Sequence, residues 1–173
     1  MEKQESKTVE SSIAHSPALS MIANPTVNPS VLSRKVAIIC ADAVEEEAVV
    51  AMQEALYKAG AKGVIVAPYL GFVKTENGEE LPVKCSFLTS SSVLFDAVYI
   101  PGGEGQSELI DQPNVQEFLN DAYKHCKIIG AQGSGIELLS AMSFATQFDG
   151  NELGILTGND PEFIENFIDA MTQ

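Results

Sequence analysis

Four short runs of continuously apolar, largely β-branched residues constrain the fold of this chain more than any other feature. They occupy residues 35–40, 63–67, 97–100 and 127–131. A strand that is apolar on both faces must be covered on both faces, which is typical of a parallel sheet enclosed by helices. The runs therefore predict a central sheet that the rest of the chain has to cover.

Segments with helical periodicity lie between and after these runs. The first of them places Val49, Met52 and Leu56 on one stripe, behind an acidic N-terminus. The predicted helices are 45–59, a segment around 115–122, 135–142 and a final helix from 160 with Pro161 in its first turn, and a last strand is predicted at 153–157. Strands that alternate with helices predict an α/β fold, a flavodoxin-like doubly wound parallel sheet with helices on both faces.

Residues 72–83 have a different character. Two short extended stretches flank Asn77 and Gly78, a dipeptide that readily adopts the two positive φ angles of a type I′ turn. The pattern predicts a β-hairpin inserted between the second and third strands of the sheet.

Residues 1–33 are interpreted as a flexible N-terminal tail or connector. They are rich in Ser, Pro, Asn, Lys and Glu and show no sustained periodicity. Leu19, Met21 and Ile22 form an apolar stretch within them, which we expect to pack on a neighbouring chain or on the domain itself. The domain proper is expected to span residues 34–173.

Composition argues against several kinds of partner. Asp and Glu outnumber Lys and Arg by 24 to 10, a formal net charge of −14, which disfavours nucleic acid and anionic membranes. No run approaches the roughly 20 apolar residues of a membrane span, and no secretory signal is recognisable. The thiols of Cys40, Cys85 and Cys126 have neither disulfide nor zinc spacing. We expect Cys40 and Cys126 to pack in the core of a cytoplasmic protein.

Ligands of such sheets bind beyond the carboxyl ends of the strands. Residues 41–47, 101–105 and 132–135 are expected at that edge. The last of these is a glycine-rich strand-to-helix turn, where hydrolases of this shape carry their nucleophile and where helix N–H groups are expected to remain free. The residues predicted to line a pocket there are Glu46, Glu47, Gly102, Gly103, Glu104 and Gln132.

No cofactor or metal site is predicted. Residues 45–47 have no accompanying His or Asp cluster and are better explained as favourable charges at a helix N-terminus. Residues 102–105 lack the Lys and the spacing of a phosphate-binding loop. His125 is expected on the surface, near a helix C-terminus and far from the glycine-rich turn.

Several separated motifs resemble one superfamily. Residues 95–103 (FDAVYIPGG) and 128–139 (IIGAQGSGIELL) resemble the ThiJ/PfpI superfamily, which has the class I glutamine amidotransferase-like fold. Four further segments are similar in particular to the C-terminal domain of large-subunit catalases, namely residues 16–21, 78–83, 91–96 and 123–127. The resemblance covers residues 16 to about 170 and implies the same fold.

The resemblance also identifies departures at the strand-to-helix turn. Catalytic ThiJ/PfpI members carry Cys at the position of Gln132, and a Gln amide has no ionisable proton with which to act as a nucleophile. Gly133 stands where some members have His. The alignment puts Ala48 where a carboxylate would approach the Cys, and a shift of one or two residues would offer Glu46 or Glu47 there instead. Ser134 is expected to be a helix cap. The resemblance therefore implies a vestigial elbow at Gln132, Gly133 and Ser134 with no catalytic residue.

Three functional hypotheses follow. The first is a non-catalytic accessory or stabilising domain like that of the large catalases, chaperone-like or mediating oligomer contacts, with a second copy or a catalase core as partner. The second is a ThiJ/PfpI-type glyoxalase, deglycase or amidase that uses an unrecognised nucleophile, for which Cys40 and Cys126 lie nearest to strand ends. The third is a small-molecule or redox sensor in which Gln132 binds a ligand in the vacant pocket.

Overall fold

The structure, a computed structural model, describes residues 30–147 and 154–172. The strands in these ranges are β1 (Lys35–Ile39), β2 (Lys62–Ala67), β3 (Gly71–Lys74), β4 (Glu80–Val83), β5 (Cys85–Ser86), β6 (Ala97–Ile100), β7 (Ile128–Ala131) and β8 (Ile155–Thr157). The helices are α1 (Glu46–Lys58), α2 (Pro113–Lys124), α3 (Gly135–Ser140) and α4 (Phe163–Ala170). None of these helices combines the length and the apolar character needed to cross a membrane.

Six strands form one sheet in the order β5-β2-β1-β6-β7-β8, with every neighbouring pair parallel. The four apolar runs supply its four central strands, and in β1 Ile38 lies opposite Ile65 of β2 and Tyr99 of β6. The predicted flavodoxin-like parallel sheet is confirmed. The order places β1, β6 and β7 side by side, so the loops that follow these three strands meet at one edge.

Helices cover both faces of the sheet, as predicted. Val36, Ile38 and Cys40 face a cluster completed by α1 and α4, whereas Ala37 and Ile39 face a cluster completed by α2 and α3. This alternation follows from the period of two along a strand. Because both sets are buried, the continuous apolar runs are explained by burial on two faces.

The hairpin forms where it was expected, but its turn is not type I′. Lys74 pairs with Glu80, and the Thr75 N–H donates to the Glu79 carbonyl at 2.8 Å, which leaves three residues in the loop. Of these three, only Gly78 has a positive φ, at 85°. A three-residue loop with glycine in the left-handed position allows Asn77 to keep an ordinary φ.

Other local expectations need correction. Cys40 is buried, but Cys126 is exposed, with a φ of 52°, in the tight turn between α2 and β7. The predicted core position of Cys126 is therefore wrong. Pro161 lies before α4 rather than inside its first turn, because Glu162 is the N-cap residue. His125 is exposed at the C-cap of α2, as expected.

The predicted connector lies almost wholly outside the described residues. Leu19, Met21 and Ile22 are among the residues not described, so their packing stays a prediction. Within the described part, Val31 is buried and the Ser33 N–H donates to the Gly60 carbonyl at 2.9 Å. We propose that the boundary between connector and domain falls at about residue 33.

Candidate functional site

Three loops meet at the carboxyl edge of the sheet, as the strand order requires. The loop after β1 contacts the loop after β6, where the Glu45 N–H donates to the Gly102 carbonyl at 3.0 Å. The loop after β6 contacts the turn after β7, where Gly103 and Ser134 exchange two hydrogen bonds. The segments predicted to meet at this edge are therefore together in the fold.

Gln132 begins the turn after β7, and its side chain is held by the sheet. The hydroxyl of Tyr99, a fully buried residue of β6, donates to Gln132 Oε1 at 2.6 Å. Burial raises the pKa of the Tyr99 hydroxyl, and the nearby Glu45 and Cys40 act in the same direction. The hydroxyl therefore stays protonated at neutral pH and remains a donor to the amide oxygen.

The backbone of the turn is also engaged within the protein. The Gly133 N–H donates to Asn159 Oδ1 at 2.7 Å, and the Gly135 N–H donates to the Gln132 carbonyl at 2.9 Å. An oxyanion hole needs N–H donors that are free to meet developing charge. The expectation that this turn keeps its N–H groups free is wrong at Gly133, where Asn159 already supplies the acceptor.

Ser134 stands at the N-cap position of α3, but its side chain does not cap the helix. Its hydroxyl instead donates to the Gly103 carbonyl at 2.6 Å and accepts from the Gly103 N–H at 3.0 Å. The predicted capping role is therefore wrong. The hydroxyl joins two neighbouring loops and fixes the β7–α3 turn against the β6 loop.

The carboxylate of Glu45, which was not among the predicted pocket residues, lies against the turn. Its Oε2 lies so close to Gly102 that a Cβ added there would approach it to 2.5 Å. Glu46 points elsewhere, because its Oε2 accepts from Thr75 Oγ1 at 3.3 Å and from Asn77 Nδ2 at 3.4 Å. The sequence showed three adjacent carboxylates, and only the folded structure determines which of them approaches the turn.

A depression of about 450 Å³ adjoins the turn. Of the predicted pocket residues, Gln132 and Glu47 line this depression. Gly102 lies behind the Glu45 side chain. Glu104 is exposed at the start of a 3-10 turn. Among the described residues, the lining consists of Glu45, Glu47, Ala48, Ala51, Gln132, Gly133, Asn159, Asp160, Pro161 and Ile164. Asn159 and Asp160, from the β8–α4 loop, were not predicted. Among the described residues, no group of three His, Cys, Asp or Glu side chains could hold a metal ion.

The thiols lie away from this depression. Cys40 is fully buried, and burial raises the pKa of its thiol well above the ordinary value. Cys85 belongs to the edge strand β5, and Cys126 precedes β7 at the end opposite Gln132. None of the three lines the depression beside Gln132.

A buried glutamine bonds to the ends of the strands at the carboxyl edge of the sheet. Gln106 has no exposed surface, and its Nε2 donates to the Ile39 carbonyl at 2.9 Å and to the Pro101 carbonyl at 3.2 Å. These acceptors lie at the ends of β1 and β6, so one side chain ties together the strands from which two site loops depart. The residue was missed because it stands in a polar segment typical of an exposed loop.

Comparison with known proteins agrees with this architecture. Residues 32–173 match the family described as the C-terminal domain found in long catalases. Catalase-2 of Bacillus subtilis (strain 168) is 37% identical over 143 residues, covering 80% of this chain and 20% of the relative. Catalase HPII of Pseudomonas aeruginosa is 38% identical over 129 residues, covering 74% of this chain and 18% of the relative. The chain thus spans about a fifth of the length of these catalases.

The solved structures show the same fold in proteins of lower identity. A ThiJ/PfpI domain protein from Brachyspira murdochii superposes with a TM-score of 0.67 at 19% identity, over 82% of this chain and 95% of that one. The chain therefore has the ThiJ/PfpI fold and belongs to the family of C-terminal domains found in long catalases.

Proposed function

We propose that this chain is a non-catalytic accessory and stabilising domain, in which Gln132 stands where catalytic ThiJ/PfpI members carry their nucleophile. The observation that supports the proposal most is the state of the turn after β7. Gln132 Oε1 accepts from the Tyr99 hydroxyl, and the Gly133 N–H is bound to Asn159 Oδ1. The turn thus offers no ionisable nucleophile at Gln132, and the Gly133 N–H is already bound and not free to stabilise a substrate oxyanion.

The family supports the accessory role. In catalases of this type the domain makes up about a fifth of the length. The rest of those proteins has no counterpart in this chain. We therefore place the chain beside a catalase core or beside a second copy of itself, in the cytoplasm and in a response to oxidative stress. A chaperone-like activity belongs to the same proposal.

Purified protein is expected to show no turnover above background with methylglyoxal or with p-nitrophenyl acetate. The reason is that, among the described residues, no Cys, Ser, Thr or Lys side chain lines the depression beside Gln132. Absorbance assays of both reactions, run with the buffer alone and with Gln132→Ala, measure this directly. The proposal is overturned by turnover that survives Gln132→Ala but is lost with Cys40→Ala, Cys85→Ala or Cys126→Ala, because a thiol elsewhere would then be the nucleophile.

The start of the hairpin and the loop that leads into it carry a surface suited to oligomer contacts. Tyr69, Leu70 and Phe72 are 80%, 57% and 64% exposed, which places three large apolar side chains within four residues. Exposed apolar clusters of this kind mark interaction surfaces more often than isolated residues do. We assign the proposed contact with a second copy to this hairpin cluster.

Sedimentation equilibrium is expected to show self-association at micromolar concentration. Leu70→Asp or Phe72→Asp should weaken it at least about tenfold, since a charge placed at the centre of an apolar contact costs more than about 1.4 kcal/mol. Tyr57→Asp is the matched control, because Tyr57 is 83% exposed on α1, away from the cluster. A wild-type monomer at every concentration, or an equal effect of the control, would contradict the assignment.

One observation favours a second candidate function, a small-molecule sensor. The depression beside Gln132 measures about 450 Å³, which suits a metabolite-sized ligand. Glu45, Glu47 and Asp160 line it, so such a ligand would carry positive charge. A thermal-shift screen of cationic metabolites distinguishes the two functions, because the accessory role requires no ligand there.

A further inference from the structure

A second cleft opens at the other end of the sheet, near the amino ends of β1 and β2. It has a volume of about 370 Å³ and lies between the first half of β2 and strand β4. Val64, Ile65, Leu81 and Phe95 contribute apolar surface to it. We call it the β2 cleft; none of its lining residues lines the depression beside Gln132.

The β2 cleft contains an unpaired strand edge. The Lys62 N–H donates to Arg34, and Val66 accepts from Cys40, so the even-numbered residues of β2 bond toward β1. In a parallel strand the intervening residues bond to the opposite side. On that side β5 pairs only with Val66 and Ala67. In the described part of the chain, the Gly63 N–H and carbonyl and the Ile65 N–H therefore face the cleft without a strand partner.

The neighbouring strand β4 is a poor candidate to close this edge. It pairs with β3 in a separate two-stranded sheet and not with β2, and its Pro82 lines the cleft. Proline has no N–H to donate to a ladder. The edge of β2 thus stays available to an added strand, which would place alternate side chains against the apolar wall.

The charge around the cleft is opposite to that of the whole chain. Lys35, Lys62 and Lys84 line it, and no described Asp or Glu does, although the chain has 24 acidic and 10 basic residues. The side-chain ion pairs found within residues 30–147 and 154–172 involve Lys58 and Lys124, so none of the three cleft lysines has an ion-pair partner there. One carboxylate is close by, that of Asp96, which accepts from the Lys35 backbone N–H at 2.7 Å.

We propose that the β2 cleft binds an extended peptide segment of another protein, in which apolar residues alternate with Asp or Glu. The peptide backbone adds a strand to Gly63 and Ile65, and its apolar side chains contact Ile65 and Leu81 on one face of the sheet. Its carboxylates meet the lysine ammonium groups at the rim. Backbone pairing supplies affinity, and the combination of apolar wall and lysines supplies specificity.

Fluorescence anisotropy with the full chain tests the proposal. The probe is a fluorescein-labelled hexapeptide that alternates valine with glutamate, and saturable binding is expected at low salt. A peptide with lysine in place of glutamate should bind at least about tenfold more weakly, since it meets like charges. Replacing two alternate residues by proline should abolish binding, because the added strand then loses its N–H donors.

Variants of the protein locate the site. Lys62→Glu and Lys84→Glu should each weaken binding of the glutamate peptide at least about fivefold, whereas Lys124→Glu, an equal charge change on α2, should leave it unchanged. Amide hydrogen exchange should show new protection at Gly63 and Ile65 when peptide is added. Binding without that protection, or equal binding of both charged peptides, overturns the proposal. Protection of both amides before any peptide is added also overturns it, because another part of the chain then occupies the edge.

Discussion

Gln132→Cys is expected to create a thiol that reacts with iodoacetamide at pH 7 about tenfold faster than Cys126 of the same protein. An ordinary thiol is only a few per cent ionised at this pH, and lowering its pKa toward 7 raises the thiolate fraction about tenfold. At position 132 the thiolate would accept from the Tyr99 hydroxyl, which now donates to the Gln132 amide at 2.6 Å. It would also lie at the N-terminus of α3, where partial positive charge favours an anion.

Asn159 opposes this activation and Tyr99 favours it, so these two residues provide the matched variants. The Gly133 N–H donates to Asn159 Oδ1 and so is not free to stabilise the thiolate. Adding Asn159→Ala to Gln132→Cys should free this donor and speed alkylation further. Tyr99→Phe in the same background should slow it, because the thiolate loses a hydrogen bond. Mass spectrometry of the alkylated peptides separates residue 132 from Cys126. If alkylation at residue 132 is no faster than at Cys126, the turn is not an inactivated nucleophile site.

Gln106→Ala is expected to lower the free energy of unfolding by about 3 kcal/mol. The substitution leaves the carbonyls of Ile39 and Pro101 without their buried donor, and each unsatisfied group costs about 1–3 kcal/mol. It also opens a cavity, because the side chain has no exposed surface. Urea denaturation followed by circular dichroism measures the change.

Gln106→Met separates the two contributions. Methionine keeps most of the volume and removes both donors, so about 2 kcal/mol of the loss should remain. Part of that loss is offset, since Gln106 Oε1 is itself buried without a donor among the described residues. Gln112→Ala is the control, because the Gln112 side chain makes a single exposed hydrogen bond, to the Glu108 carbonyl. A loss below about 0.5 kcal/mol for Gln106→Ala would show that the tie between β1 and β6 is not structural.

The strands and helices of the sheet were predictable because their signals are local and repeated. Val49, Met52 and Leu56 are all buried, as one stripe of an amphipathic helix must be. The hairpin was predictable in position but not in turn type. Asn77 and Gly78 allow both a two-residue and a three-residue loop, and the pairing of Lys74 with Glu80 selects the second.

The site was less predictable, because its side chains are oriented by contacts between distant segments. Glu45, Glu46 and Glu47 follow one another, yet the first approaches Gly102, the second bonds to the hairpin and the third lines the depression. Glu45 precedes α1 as its N-cap residue and has an extended backbone, whereas Glu46 and Glu47 begin the helix. The apolar stripe of α1 sets which face of the helix meets the sheet, but contact with Gly102 in the loop after β6 brings Glu45 to the turn.

The sequence by itself determined the parallel sheet, its covering helices and the absence of an ionisable side chain at Gln132, because periodicity and residue chemistry are properties of the chain. Only the tertiary structure decided what that glutamine and its turn are bonded to. Tyr99 lies 33 residues from Gln132, and Asn159 lies 26 residues from Gly133. Hydrogen bonds require their atoms to approach within about 3 Å. Such approach between distant residues exists only after β6, β7 and the β8–α4 loop have assembled side by side.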